Sequence, residues 1–158
     1  MSSYPYTHLG KTVKGNQIPP APFVKVKLTS IEIGCNEAID CSALLDTGSA
    51  LSLFPRNLIV PHLCKAAVGE PEDAYGVGGG KVIAIPYIVN IRIGDEHYAK
   101  VKVWGYVGNQ LKIKDEDEMA IIGRDFMRQL RIEFDGINSS ANINPKLCTL
   151  KKCPLKNN

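Results

Sequence analysis

Residues 43–55 read Ala-Leu-Leu-Asp-Thr-Gly-Ser-Ala-Leu-Ser-Leu-Phe-Pro and set one carboxylate, Asp46, between two apolar runs. Burying a lone carboxylate is costly, so such a residue either does chemistry or needs hydrogen-bond donors close by. Thr47 and Gly48 follow at once, and a glycine lets the backbone turn tightly enough to bring amide hydrogens to the carboxylate. A carboxylate held in this way suits general acid–base work. The same tripeptide also makes a plain Asx-type turn between strands, and taken alone it does not choose between the two.

Two further segments supply context. Ala74-Tyr75-Gly76-Val77-Gly78-Gly79-Gly80 is too rich in glycine for a helix and suits a mobile loop, and Ile121-Ile122-Gly123-Arg124-Asp125 is an apolar run that stops at a glycine before a short amphipathic stretch. In this order the three segments resemble the retropepsin-like (retroviral-type) aspartic proteases, over about residues 23–136. The resemblance implies an all-β acid-protease barrel with one short helix, acting as a homodimer on a peptide or protein substrate, with no metal and no organic cofactor. It makes Asp46 the catalytic residue and Thr47, Gly48 and Ser49 its supporting loop. The Thr47 hydroxyl would bond across the dimer, and the Gly48 carbonyl would hold substrate backbone. Tyr75, Gly76, Val77, Gly78 and Gly79 would form the flap, and Ile122, Gly123 and Arg124 the brace beneath the catalytic loop.

The copy number points the same way. Monomeric pepsin-like enzymes carry two such motifs in a longer chain, whereas this chain has one. The second carboxylate must then come from a symmetry mate, across a two-fold axis through the site. Two departures from the retroviral pattern bear on detail. Ser49 stands where alanine is common, and its hydroxyl is expected to donate toward the Asp46 carboxylate. Ala50 stands where many relatives have an aspartate that pairs with the arginine, so Arg124 is expected to find Asp125 or backbone carbonyls instead. The alternative function is a peptide-binding or scaffold module that uses the same groove with little or no cleavage. A further reading is an unrelated barrel in which Asp46 only makes a turn.

The elements that must position these residues are mostly strands. Phe23–Ile33 alternates apolar and polar, with a joint near Thr29 and Ser30. Lys81–Pro86, Tyr87–Ile93 and Ala99–Tyr106 are three more runs, the last two separated by Gly94-Asp95-Glu96. Leu51–Phe54 is a strand stopped by Pro55, and residues 57–67 have room for one short helix. Met119–Gly123 reads as a buried strand, Arg124–Leu130 as a short helix with one apolar face, and Arg131–Gly136 as a final strand and turn. The chain therefore divides into an extended N-terminal arm over 1–22, a protease-like domain over 23–136, and a polar C-terminal tail over 137–158, with no strong strand pattern in either end segment.

Composition narrows the classes. At 158 residues with 44% hydrophobic and 22% charged residues, the chain can build one core. A net charge of +3, without a dense basic block, gives no reason to expect nucleic-acid binding. No stretch approaches the ~18 apolar residues of a membrane span, and residues 1–20 lack the apolar core of a secretion signal, so the expected location is cytoplasmic. Five cysteines, an odd number without such a signal, argue against a disulfide framework. The three histidines and five cysteines show no metal-binding spacing, so no metal site is expected.

Overall fold

The computed structural model describes residues 2–8, 16–17, 19–32, 35–60, 63, 67–75, 81–107, 112–113 and 117–145. Among these the strands are β1 (Ser2–Thr7), β2 (Ala21–Thr29), β3 (Ala38–Leu45), β4 (Leu53–Pro55), β5 (Glu72–Tyr75), β6 (Lys81–Ile93), β7 (Glu96–Val107), β8 (Lys112–Ile113), β9 (Asp117–Glu118), β10 (Ala120–Ile122), β11 (Leu130–Asp135) and β12 (Ser140–Pro145). Two single-turn helices, α1 (Arg56–Ile59) and α2 (Arg124–Met127), complete the described elements, where one was expected. No helix among the described residues is long and apolar enough to cross a membrane.

The protein is all-β, and its barrel closes. The strand order β2-β3-β10-β4-β7-β6 returns to β2 through the β2–β6 pairing. Closure depends on β6, which pairs with β7 along one edge from Ile83 to Ile93, while its other edge pairs first with β5 at Lys81 to Ala84 and then, from Asn90 to Ile93, with Thr29 to Val26 of β2. A register shift between Val89 and Ile91 marks a bulge at the changeover, and a bulge bends a strand and sharpens its twist. Asn90 holds the corner by donating from Nδ2 to the Ser30 carbonyl at 2.9 Å and accepting the Lys100 N–H at 3.1 Å.

Three differences from the sequence reading have local causes. Lys81–Pro86 and Tyr87–Ile93 are one strand, because Pro86 lies past the last β5 pair, Glu72 with Ala84, where no ladder on that side needs its missing N–H. β2 stops at Thr29 because the Ser30 hydroxyl donates to the Leu63 carbonyl at 2.7 Å and accepts the Glu32 N–H at 3.0 Å, which turns the chain away. The end segments, in which no strand was expected, hold β1 and β12. These two pair with each other and extend the sheet as β11-β12-β1-β2.

The main core lies inside the barrel and includes Val24, Leu28, Leu45, Phe54, Tyr87, Ile91, Ile122 and Phe126. Full burial of each such side chain contributes roughly 1.5–3 kcal/mol. A second cluster, Leu53, Val82, Ala84, Trp104, Tyr106 and Ile121, has Leu51 and Ala74 packed against it. It therefore ties the segment that follows Asp46 to the base of the β5–β6 hairpin.

Candidate active site

Asp46 is the first residue past β3, and the sheet determines where it stands. β10 runs parallel to β3 in the register Ala120–Ala43, Ile121–Leu44 and Ile122–Leu45. The ladder continues one step, with the Asp46 N–H donating to the Ile122 carbonyl at 3.1 Å. Leu45 and Ile122 are buried and Asp46 is half-buried, so a hydrophobic wall delivers a carboxylate to the edge of solvent.

The turn then closes on itself. The Gly48 N–H donates to Asp46 Oδ1 at 2.8 Å, and the Ser49 N–H donates to the Asp46 carbonyl at 3.2 Å. A Cβ at Gly48 would sit 3.0 Å from Asp46 Oδ1, which is why the position calls for glycine. Thr47 and Gly48 are exposed at the tip of the turn.

The segment after β10 clamps this turn from below. Arg124 N–H donates to the Ser49 carbonyl at 3.0 Å and Asp125 N–H to the Ala50 carbonyl at 3.2 Å. The Arg124 guanidinium reaches across to donate from Nη1 to the Thr47 carbonyl at 2.9 Å. Of the two kinds of partner expected for Arg124, this is a backbone carbonyl. Gly123 lies so close to Leu51 that a Cβ there would overlap the Leu51 backbone. The strand, the turn and the start of α2 thus form one hydrogen-bonded unit around Asp46.

The Ser49 hydroxyl departs from expectation. It donates to the Leu51 carbonyl at 2.7 Å rather than toward the Asp46 carboxylate. A hydroxyl has one hydrogen to give, and here it stabilises the exit of the turn.

Ser52 and Asp125 complete the clamp without having been anticipated in these roles. Ser52 is fully buried, donates from Oγ to Asp125 Oδ1 at 2.6 Å and from its N–H to Asp125 Oδ2 at 3.1 Å, and accepts the Gly123 N–H at 3.0 Å. The available signal was a serine inside the apolar run Leu51-Ser52-Leu53-Phe54, since a buried hydroxyl needs partners.

Of the expected flap, Tyr75 ends β5 opposite Lys81 and is 71% exposed. Gly76, Val77, Gly78 and Gly79 lie outside the described residues. The hairpin base is pinned by Asp73 and Lys81 at 2.9 Å, and the Lys81 pKa is raised by the hydrogen bond from its ammonium to that carboxylate. Among the described residues, no group of three or more His, Cys, Asp or Glu side chains is placed to hold a metal ion.

No sequence-family model and no curated protein matches this chain. Solved structures do. A retropepsin-like aspartic protease from Rickettsia conorii aligns over 91% of this chain and 99% of its own, with 10% identity and a TM-score of 0.53. EIAV protease in complex with the inhibitor HBY-793 aligns over 68% of this chain and 86% of its own, with 21% identity and a TM-score of 0.44. At this level of identity the first likeness speaks to the fold.

Proposed function

We propose that this chain, whose fold is retropepsin-like, is one half of an aspartic endopeptidase and cleaves peptide bonds as a homodimer. The observation that carries the reading is the Asp46 carboxylate. It stands half-buried at the end of a buried strand pair, with one oxygen held by the Gly48 N–H at 2.8 Å. One chain supplies one such carboxylate, and a two-fold mate supplies the other.

Two carboxylates about 3 Å apart cannot both ionise, so the pair shares one proton and titrates as a unit. The ionised Asp46 takes a proton from a bound water as that water attacks the scissile carbonyl carbon. The protonated Asp46 of the mate hydrogen-bonds to the carbonyl oxygen and transfers its proton there, so that oxygen becomes the second hydroxyl of the tetrahedral diol. Collapse of the diol breaks the C–N bond, and the leaving nitrogen receives a proton from the pair. Every proton is carried by these two carboxylates and the water, so the scheme needs no metal or organic cofactor.

The remaining roles are those the family resemblance implies. Thr47 at the exposed tip bonds to its counterpart across the axis, and the Gly48 carbonyl holds the substrate backbone. Tyr75 with Gly76, Val77, Gly78 and Gly79 closes over an extended peptide, which pairs with the chain as a strand would. Ile122, Gly123 and Arg124 keep the loop in register.

A peptide library incubated with the parent chain and with Asp46→Asn tests the proposal. The parent should cleave, with specific activity that falls on dilution through the monomer–dimer transition. The variant should fold normally and lose turnover. Turnover retained in highly purified Asp46→Asn overturns the mechanism.

A further inference from the structure

We infer that a cavity between β7 and the end of α2 is a binding site for a small organic anion with an apolar body. Asp46 does not line this cavity, so the site stands or falls independently of the peptidase reading.

The cavity has a volume of about 420 Å³, within the range of small-molecule sites. Its lining has two characters. Val101, Trp104 and Phe126 are buried and, with Leu51, present apolar surface. Lys100, Lys102 and Arg128 are exposed and bring three cations to the same cavity. A cleft lined by one sign of charge concentrates ions of the other. The one carboxylate in the lining, Asp125, is already engaged. Its two oxygens accept the Ser52 N–H, the Ser52 Oγ–H and the Phe126 N–H. The Lys102 ammonium lies 4.2 Å over the centroid of the Trp104 ring, against an aromatic face rather than a carboxylate.

The backbone is bent to make this arrangement. Tyr98 pairs with Ile91 and Val101 with Val89, so Ala99 and Lys100 together stand opposite the single residue Asn90. This extra residue bulges β7, and Lys100 takes a φ of 54°, which side chains rarely adopt. Asn90 Oδ1 holds it there by accepting the Lys100 N–H at 3.1 Å. A glycine would take that φ more easily, whereas the lysine supplies a charge at the cavity. A regular strand sends alternate residues to opposite faces. A bulge re-aims side chains, and here the consecutive residues Ala99, Lys100, Val101 and Lys102 all line one cavity.

The two kinds of lining specify the ligand. An anionic head takes charge-assisted hydrogen bonds from the ammonium and guanidinium groups. An apolar body covers Trp104, Phe126 and Leu51, which a bare inorganic ion would leave uncovered. Such a ligand also touches the clamp beneath the Asp46 turn, because Asp125 N–H donates to the Ala50 carbonyl and the Leu51 carbonyl accepts the Ser49 hydroxyl.

Trp104 is the chain's one tryptophan, so its fluorescence reports on this cavity directly. The full chain is titrated with octanoate, with octanamide, which keeps the body and lacks the charge, and with acetate, which keeps the charge and lacks the body. Calorimetry of the same mixtures gives a readout independent of the fluorophore. Octanoate should change the emission saturably, and the other two should bind about tenfold or more weakly. Lys100→Gln combined with Lys102→Gln should fold like the parent by circular dichroism and weaken octanoate binding about tenfold. Arg128→Gln, on the α2 side, should weaken it as well and serves as the second probe if the double variant does not fold. Lys25→Gln combined with Lys27→Gln removes the same charge from β2 and should leave binding unchanged. No saturable binding of octanoate overturns the site. Octanamide that binds as well as octanoate, cavity variants that bind like the parent, or a β2 variant that loses as much as they do, overturn the role of these cations.

Discussion

Ser52 Oγ and Asp125 Oδ1 lie 2.6 Å apart across 73 positions of sequence. The same Ser52 oxygen accepts the buried Gly123 N–H at 3.0 Å, so this pair links β4, β10 and α2 beneath the Asp46 turn. Ser52→Ala would remove the hydroxyl, leave the buried Gly123 N–H without its acceptor, and leave Asp125 Oδ1 with only the Phe126 N–H. The expected cost is about 1–3 kcal/mol of stability, measured by denaturant unfolding. Asp125→Asn should be costly in a different way. Three donors, the Ser52 N–H, the Ser52 Oγ–H and the Phe126 N–H, converge on its two oxygens, and an amide would turn one acceptor into a donor facing them.

Gly123→Ala should destabilise more. The new methyl would overlap the Leu51 backbone, which lacks the freedom of a flexible side-chain tip. About 3 kcal/mol is expected from forced overpacking, together with displacement of Arg124 from the Ser49 and Thr47 carbonyls. Activity should fall further than the unfolded fraction accounts for. Activity that tracks only the folded fraction would show that the loop does not depend on this contact.

The barrel was legible where pattern is local. The alternation in Phe23–Leu28 and in residues 87–93, and the Gly-terminated run Ala120–Ile122, announce strands by themselves. β1 and β12 were not legible, because β12 offers only Ala141 and Ile143 to the core and β1 carries Pro5 in its middle. Their structure comes from one another and from β11, a nonlocal cause that no window of sequence contains. At the site, Asp46 and Gly48 were legible from the turn chemistry of Asp-Thr-Gly. The Ser49 hydroxyl was misread, because its choice between a carboxylate and the Leu51 carbonyl depends on geometry rather than on residue type.

Cys41 should resist alkylation. Burial in β3 pushes its thiol pKa up to about 11, with a smaller contribution from the neighbouring Asp40. The thiolate is the nucleophile, so at pH 8 little of Cys41 is reactive. Iodoacetamide labelling mapped by mass spectrometry should modify Cys35 well before Cys41 in the folded chain, and at comparable rates in denaturant. Equal rates in the folded chain would contradict the burial.

Ser49→Ala should leave the acidic limb of kcat/KM against pH where it is, provided the peptidase reading holds. The hydroxyl donates to Leu51 rather than to Asp46, so its loss removes no donor from the ionised pair. The expected effect is a loss of about 1 kcal/mol in stability from one missing hydrogen bond. An acidic limb that moves upward in the variant would show that Ser49 reorients toward the carboxylate in the dimer.

Asp135 should make the β11–β12 hairpin acid-sensitive. Its carboxylate accepts the Asn138 N–H at 3.0 Å and the Asn138 Nδ2–H at 2.6 Å, and these two bonds hold its pKa below the usual value, the backbone bond contributing most. The donors favour the ionised form, so folding stabilises the carboxylate only while it is charged. The contribution is therefore present above the unfolded value of about 3.9 and is lost as pH falls through the lower folded value. Asp135→Ala should lower the unfolding midpoint near neutral pH, and the gap between variant and parent should shrink steadily in strong acid. Because other carboxylates also titrate there, the difference between the two proteins is the quantity to read, not either curve alone. A gap that stays constant from neutral pH to strong acid would mean that Asp135 acts through its shape in the turn rather than through its charge.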